Sequence, residues 1–126
     1  MEKIIINTEK APAALGPYSQ AVKVGNLLYT SGQLPINENG ELVNDDIQKA
    51  TAVCLENVKA ILEEAGTSLE KVVKTLVFIK DMNDFAAMNE VYAKYFTSNP
   101  PARSCVQPGR LPKDALVEIE VIAIVE

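Results

Sequence analysis

Not one of the 126 residues is histidine. That absence removes the commonest general base and the commonest transition-metal ligand. There is no CxxC pair either, so a zinc or iron site is not expected. Glycine-rich phosphate loops, GxGxxG or GxxxxGK followed by Ser or Thr, are missing, which argues against a nucleotide cofactor. The expectation is thus no cofactor and no metal, with any chemistry left to carboxylates, arginine, tyrosine, serine, cysteine or the backbone. No window approaches the roughly 18 uncharged apolar residues of a membrane span, and Met1 to Asn7 carries no signal-peptide pattern. The two cysteines, Cys54 and Cys105, lie in apolar segments without tight spacing and read as reduced structural thiols. A cytoplasmic location with no membrane partner follows as the expectation. The formal charge of −5 disfavours nucleic acid, whose phosphates are held by clustered Lys and Arg.

What is present fits one domain over residues 1–126, since 48% hydrophobic and 23% charged residues are ordinary globular values and no linker or repeat interrupts them. Lys3 to Ile6 is a short β-prone run. Tyr18 to Val24 alternates, meets the hairpin signal Gly25-Asn26, and continues as Leu27 to Gly32. Leu34 to Val43, with Asn39-Gly40, reads as a longer loop or second hairpin. Asn44 or Asp45 is a fitting N-cap for a helix whose stripe is Ile47, Ala50, Cys54, Val58, Ile61, Leu62 and Ala65, stopped by Gly66. Val72 to Lys80 predicts a strand. Asn83 or Asp84 caps a second helix with Phe85, Met88, Tyr92, Tyr95 and Phe96 on one face, ended by Asn99-Pro100-Pro101. Ala102 to Gln107 and Leu116 to Val125 predict two closing strands. The order implies an α+β fold, a mixed sheet with two helices packed on one face.

Two helices cover only one face of such a sheet. Yet Val72 to Ile79 and Val121 to Val125 are apolar at both alternating sets of positions, as in strands covered on both sides. The second face is expected to be covered by other copies of the chain; singly exposed apolar residues are the plainer alternative.

Several residues are candidates for chemistry. Arg103 lies in a predicted strand among residues that read as buried, where a guanidinium needs a planar anionic partner. That partner is either a ligand carboxylate or an internal one, Glu118 or Glu120. Period two places Glu118 and Glu120 on one strand face, projecting with Ile122 and Ile124, as general bases or as a charged edge that deters aggregation. Asn89 shares a helical face with Phe85 and Tyr92, and its amide must find partners there, in a ligand or in the chain. Gly16-Pro17-Tyr18-Ser19-Gln20 and Thr30-Ser31-Gly32-Gln33 combine hydroxyls with glycines that let a backbone N–H approach an anion, although such residues are also everyday turn chemistry. Cys105 shares the face of Arg103 but has no activating base, so an inert thiol is the better reading.

Pro101-Ala102-Arg103-Ser104-Cys105-Val106, followed by Gly109, Leu111 and Val117-Glu118-Ile119, resembles the RidA (YjgF-type) family of 2-iminobutanoate and 2-iminopropanoate deaminases. Gly16 to Ala21, Thr30 to Gln33 and Asn83 to Asn89 match the same pattern, and the similarity covers essentially the whole chain. The resemblance implies a chorismate-mutase-like fold, a homotrimer with clefts between subunits, and hydrolytic deamination of 2-imino acids to 2-keto acids and ammonia. It implies that Arg103 binds the substrate carboxylate with the Gly32 backbone N–H, that Tyr18, Ser31 and Asn89 shape the pocket, that Cys105 offers backbone contacts, and that Glu118 positions the attacking water. It also implies a functional link to pyridoxal-dependent dehydratases, which release such imines. Competing readings are a keto-acid-binding protein without turnover, RNA cleavage, and a chaperone-like holdase.

Overall fold

Gly25 and Asn26 form a two-residue hairpin turn, and Gly25 takes the positive φ of 60° that such a loop requires. The computed structural model describes residues 1–126 and contains β1 (Lys3–Ile6), β2 (Ala21–Val24), β3 (Leu27–Thr30), α1 (Ile47–Glu64), β4 (Val72–Ile79), α2 (Phe85–Tyr95), β5 (Ala102–Val106) and β6 (Val117–Ile124). The strand order is β1-β2-β3-β6-β4-β5. Only β4 and β5 run parallel, and the chain between them, which includes α2, supplies the crossover that parallel neighbours need. The expected mixed sheet with two helices is what forms. No helix is long and apolar enough to cross a membrane.

The first helix begins later than expected. Asp46, not Asn44 or Asp45, is the N-cap, and its carboxylate accepts from the N–H groups of Gln48 (2.7 Å) and Lys49 (3.3 Å). Asn44 is already occupied: its Nδ2 donates to the Asp114 carbonyl and its Oδ1 accepts from Leu116 N–H, tying the helix entry to the start of β6. Gly66, with φ of 84°, ends the helix as expected. The second strand is also shorter than its sequence pattern, starting at Ala21. Ser19 and Gln20 instead give their carbonyls to Ser31, which pins the preceding loop against the end of β3.

Ala50, Cys54, Leu55, Val58, Ile61 and Leu62 of α1 pack on Val117, Ile119, Val121 and Ala123 of β6, together with Val77 and Ile79 of β4. Each fully buried Leu or Ile contributes about 1.5–3 kcal/mol, so this one layer dominates the stability. The alternate positions point the other way. Glu118, Glu120, Ile122 and Ile124 of β6 lie beside Lys74, Leu76 and Phe78 of β4 on a face that no element of the chain covers. Ile5, Tyr29 and Val106 on that face are 53%, 44% and 44% exposed. That apolar second face is the one the strand pattern foretold.

Candidate active site

Parallel pairing sets Arg103 opposite Thr75 and Cys105 opposite Val77, and both of those β4 residues are buried on the helix side. Arg103 and Cys105 therefore share the face that looks towards α2. Phe85, Asn89 and Tyr92 recur at helical spacing and present one surface to the arginine. Asn89 Oδ1 accepts a hydrogen bond from Arg103 Nη1 at 2.7 Å. The guanidinium carbon stands 4.7 Å from the centre of the Tyr92 ring and 5.4 Å from that of Phe85.

No carboxylate of the chain pairs with Arg103; the three ion pairs join Lys49 to Asp45, Lys71 to Glu126 and Lys80 to Asp114. The internal partners Glu118 and Glu120 are thus excluded within one chain. An oriented, half-buried guanidinium with no anion of its own has the chemistry to take a planar carboxylate. Partial burial pushes the neighbouring Cys105 thiol up, while the arginine pulls it down by a lesser amount. The net direction is upward, which leaves the thiol protonated and inert.

Glu118 lies elsewhere. It alternates with Val117 and Ile119, which are buried under α1, and so projects on the open face of the sheet. Burial raises its pKa, and the like charge of Glu120 raises it further. Gly32 packs directly on this carboxyl. A β-carbon added at Gly32 would stand 2.6 Å from Glu118 Oε2 and 2.9 Å from Cγ. The close approach is held by Gln33, whose N–H donates to the Ile119 carbonyl (2.8 Å) and whose carbonyl accepts from Ile119 N–H (3.1 Å). The Gly32 N–H donates to no group of the chain. Ser31 is fixed on both sides, its N–H donating to the Gln20 carbonyl and its Oγ to the Ser19 carbonyl. Tyr18 is 53% exposed and, with Gly32, lines a groove of about 1310 Å³ that runs along the 7–20 loop.

The candidate residues therefore form two groups. Arg103, Asn89 and Cys105 sit on the helix side at the β5 edge, whereas Glu118, with Gly32 against it, sits on the open side. The strand β4 lies between β5 and β6, and the sheet itself separates the arginine from the glutamate. Within one chain the pairing order and the opposite faces keep the two apart; the family resemblance implies a site in a cleft between subunits. No three His, Cys, Asp or Glu side chains cluster at metal-ligand distance.

The Thr75 pairing and the hub role of Gln20 are not expected from the sequence, although Gln20 lies in the candidate segment Gly16 to Gln20. Thr75 Oγ1 and the Tyr92 hydroxyl share a 2.7 Å hydrogen bond beneath Arg103; the inward position of Thr75 in its strand was the only signal for it. Gln20 is the hub of the 8–20 loop. Its Oε1 accepts from Thr8 N–H (2.7 Å), and its Nε2 donates to the carbonyls of Thr8 (3.0 Å) and Pro12 (2.8 Å). A side chain with partners so far along the chain leaves no local pattern.

Residues 8–125 match the family model described as Endoribonuclease L-PSP. A RutC family protein of Pyrococcus abyssi is 58% identical over 127 residues, with 100% of both chains covered. The 2-iminobutanoate/2-iminopropanoate deaminase of Escherichia coli K12 is 51% identical over 122 residues, covering 94% of this chain and 95% of the relative. The crystal structure of E. coli TdcF with bound serine superposes with a TM-score of 0.93 at 48% identity, covering 98% of this chain and 99% of that one.

Proposed function

This chain belongs to the RidA-type family of RutC proteins, and from that premise we propose that it hydrolyses reactive 2-imino acids to 2-keto acids and ammonia. The observation that carries the reading is Arg103, a guanidinium oriented by Asn89 and two aromatic rings and left without a carboxylate partner. The substrate carboxylate takes two parallel N–H···O bonds from it, which fixes the imine carbon. A protonated imine carbon is already a strong electrophile, so neither a covalent nucleophile nor a Lewis acid is needed. Glu118 accepts a proton from water as the oxygen bonds to carbon and the C=N pair moves to nitrogen. The resulting carbinolamine then collapses: Glu118 returns the proton to nitrogen, the oxygen lone pair closes the C=O bond as the C–N bond breaks and ammonia leaves, and the hydroxyl proton passes back to the Glu118 carboxylate, leaving the keto acid.

Arg103 and Glu118 come from opposite faces of one sheet, so the reaction needs two copies of the chain. We assign the apolar second face to contacts within a homotrimer, in which one copy lends Arg103, Asn89 and Cys105 and its neighbour lends Glu118. The exposure of Ile5, Tyr29 and Val106 on that face supports association, and the number three comes from the family resemblance alone. Tyr18, Ser31 and the free Gly32 N–H then border the same cleft. A cytoplasmic setting beside pyridoxal-dependent dehydratases, which release such imines, completes the reading.

The test is to mix the protein with a dehydratase and its amino acid and to time the loss of imine. Faster loss than in buffer supports catalysis. Tight keto-acid binding without acceleration would favour the sensing alternative. RNA cleavage, the activity in the description of the matching family model, has little support from this chain, which carries a charge of −5 and no histidine.

Two further outcomes follow from the surroundings of Glu118. Water attack needs the carboxylate, so kcat/KM is expected to fall as pH drops through the raised pKa of Glu118. Glu120→Gln removes one of the two causes of that rise and should move the acid limb to lower pH. Burial, the larger cause, remains, so the limb stays above the ordinary carboxylate range. A pH–rate profile of the two proteins checks this. Gly32→Ala meets no backbone obstacle, since Gly32 is not in the left-handed region, but its methyl must displace the Glu118 carboxyl. A misplacement on the order of 1 Å can lower turnover by about 10²-fold. Steady-state kinetics should show that loss in kcat while the melting temperature stays near that of the parent.

A further inference from the structure

Asn89 holds Arg103 by a single hydrogen bond, and one such bond leaves the guanidinium free to swing about it. Bidentate recognition needs a fixed plane. On a long side chain at an exposed sheet edge, that plane must be set by something else. Tyr92 supplies the nearest surface, with its ring centre 4.7 Å from the guanidinium carbon. The ring is itself held. Phe96 packs on it with 4.7 Å between ring centres, and the Tyr92 hydroxyl is bonded to Thr75 at 2.7 Å. Thr75 is fully buried and stands in register with Arg103 on the adjacent strand. The anchor of the ring and the root of the arginine are therefore fixed to each other through the β4–β5 pairing. A phenylalanine would fill the same space without burying two hydroxyls that must find each other.

We propose that Tyr92, anchored by Thr75, is the positioning residue that sets the plane of the Arg103 guanidinium for a substrate carboxylate. The inference rests on the reading of Arg103 as the carboxylate-binding group. It adds that the preference for charged over neutral ligands is governed from the core, by residues that touch no substrate.

The readout is the ratio of affinities for 2-oxobutanoate and for its uncharged amide, 2-oxobutanamide, measured by competitive inhibition. Loss of packing alone would weaken both ligands alike; loss of arginine alignment weakens the acid only. Tyr92→Leu should lower the ratio about tenfold. Tyr92→Phe keeps the platform and should recover most of it, leaving a deficit of about threefold from the missing anchor. Thr75→Val should show the same threefold deficit. The double variant Tyr92→Phe with Thr75→Val should be no worse than either single change, because both remove one bond. These two conservative variants decide the matter even if Tyr92→Leu does not fold. An unchanged ratio in both, or equal weakening of acid and amide, would overturn the proposal. Arg103→Ala run in parallel separates the levels: a wild-type preference for the acid that survives Arg103→Ala defeats the role of Arg103 itself, whereas one lost there but intact in the Tyr92 and Thr75 variants defeats only the positioning role.

Discussion

Arg103→Ala is expected to lower kcat/KM for 2-iminobutanoate by about 10²–10³-fold. Truncating one partner of a shielded, hydrogen-bonded charge pair removes about 2–5 kcal/mol, and each 1.4 kcal/mol is roughly a tenfold change. Arg103 has no neighbouring cation in its hydrogen bonds, and Asn89 presents to it an oxygen, which repels a carboxylate. Arg103→Lys restores charge but not the planar fork, and it also loses the face-on contact with Tyr92 and Phe85. It should recover only a minor part of the activity. Kinetics in the dehydratase-coupled assay measure both variants, and full activity in Arg103→Lys would contradict bidentate recognition.

Glu118→Gln is the second large effect, and it should fall on a different constant. The amide keeps the volume and the contact with Gly32 but cannot accept a proton from water. Loss of one positioned acid–base group lowers turnover by about 10²–10⁴-fold. The arginine site is untouched, so affinity for 2-oxobutanoate should stay within about twofold of the parent. Stability should move the other way. The folded protein raises the pKa of Glu118, so it favours the protonated carboxyl. That penalty is absent below the ordinary carboxylate range and is fully present above the raised value. At neutral pH, Glu118→Gln should therefore leave the fold equally or more stable, as when a functional charge is held at the expense of stability.

Much of this architecture was legible from local pattern. The stripe Ala50, Cys54, Val58, Ile61 and Leu62 is buried as its spacing predicts, and Gly25-Asn26 and Gly66 turn the chain where expected. Alternation also told which side chains travel together, Glu118 with Glu120 and Arg103 with Cys105. What it could not tell is which face each strand lends, since that depends on the order β6-β4-β5 and on one parallel pairing. The separation of Arg103 from Glu118 is a property of topology, not of any window of sequence. The cap at Asp46 was missed for a related reason: Asn44, an equally good capping residue, is bonded to groups 70 and 72 positions away. The candidate residues themselves owed their roles to a family resemblance; periodicity alone left Arg103 open between a ligand and an internal carboxylate, and Asn89 between a ligand and a partner in the chain, where its oxygen accepts from Arg103.

The measurement that bears most directly on the whole is subunit complementation. Arg103→Ala and Glu118→Gln proteins, each inactive alone, are denatured together and refolded as a mixture. If each cleft takes its guanidinium from one copy and its carboxylate from the next, random mixing rebuilds about a quarter of the clefts in intact form, and imine hydrolysis should return to about that fraction of the parent. A refolded, fully assembled mixture that remains as inactive as its components would contradict a site shared between copies.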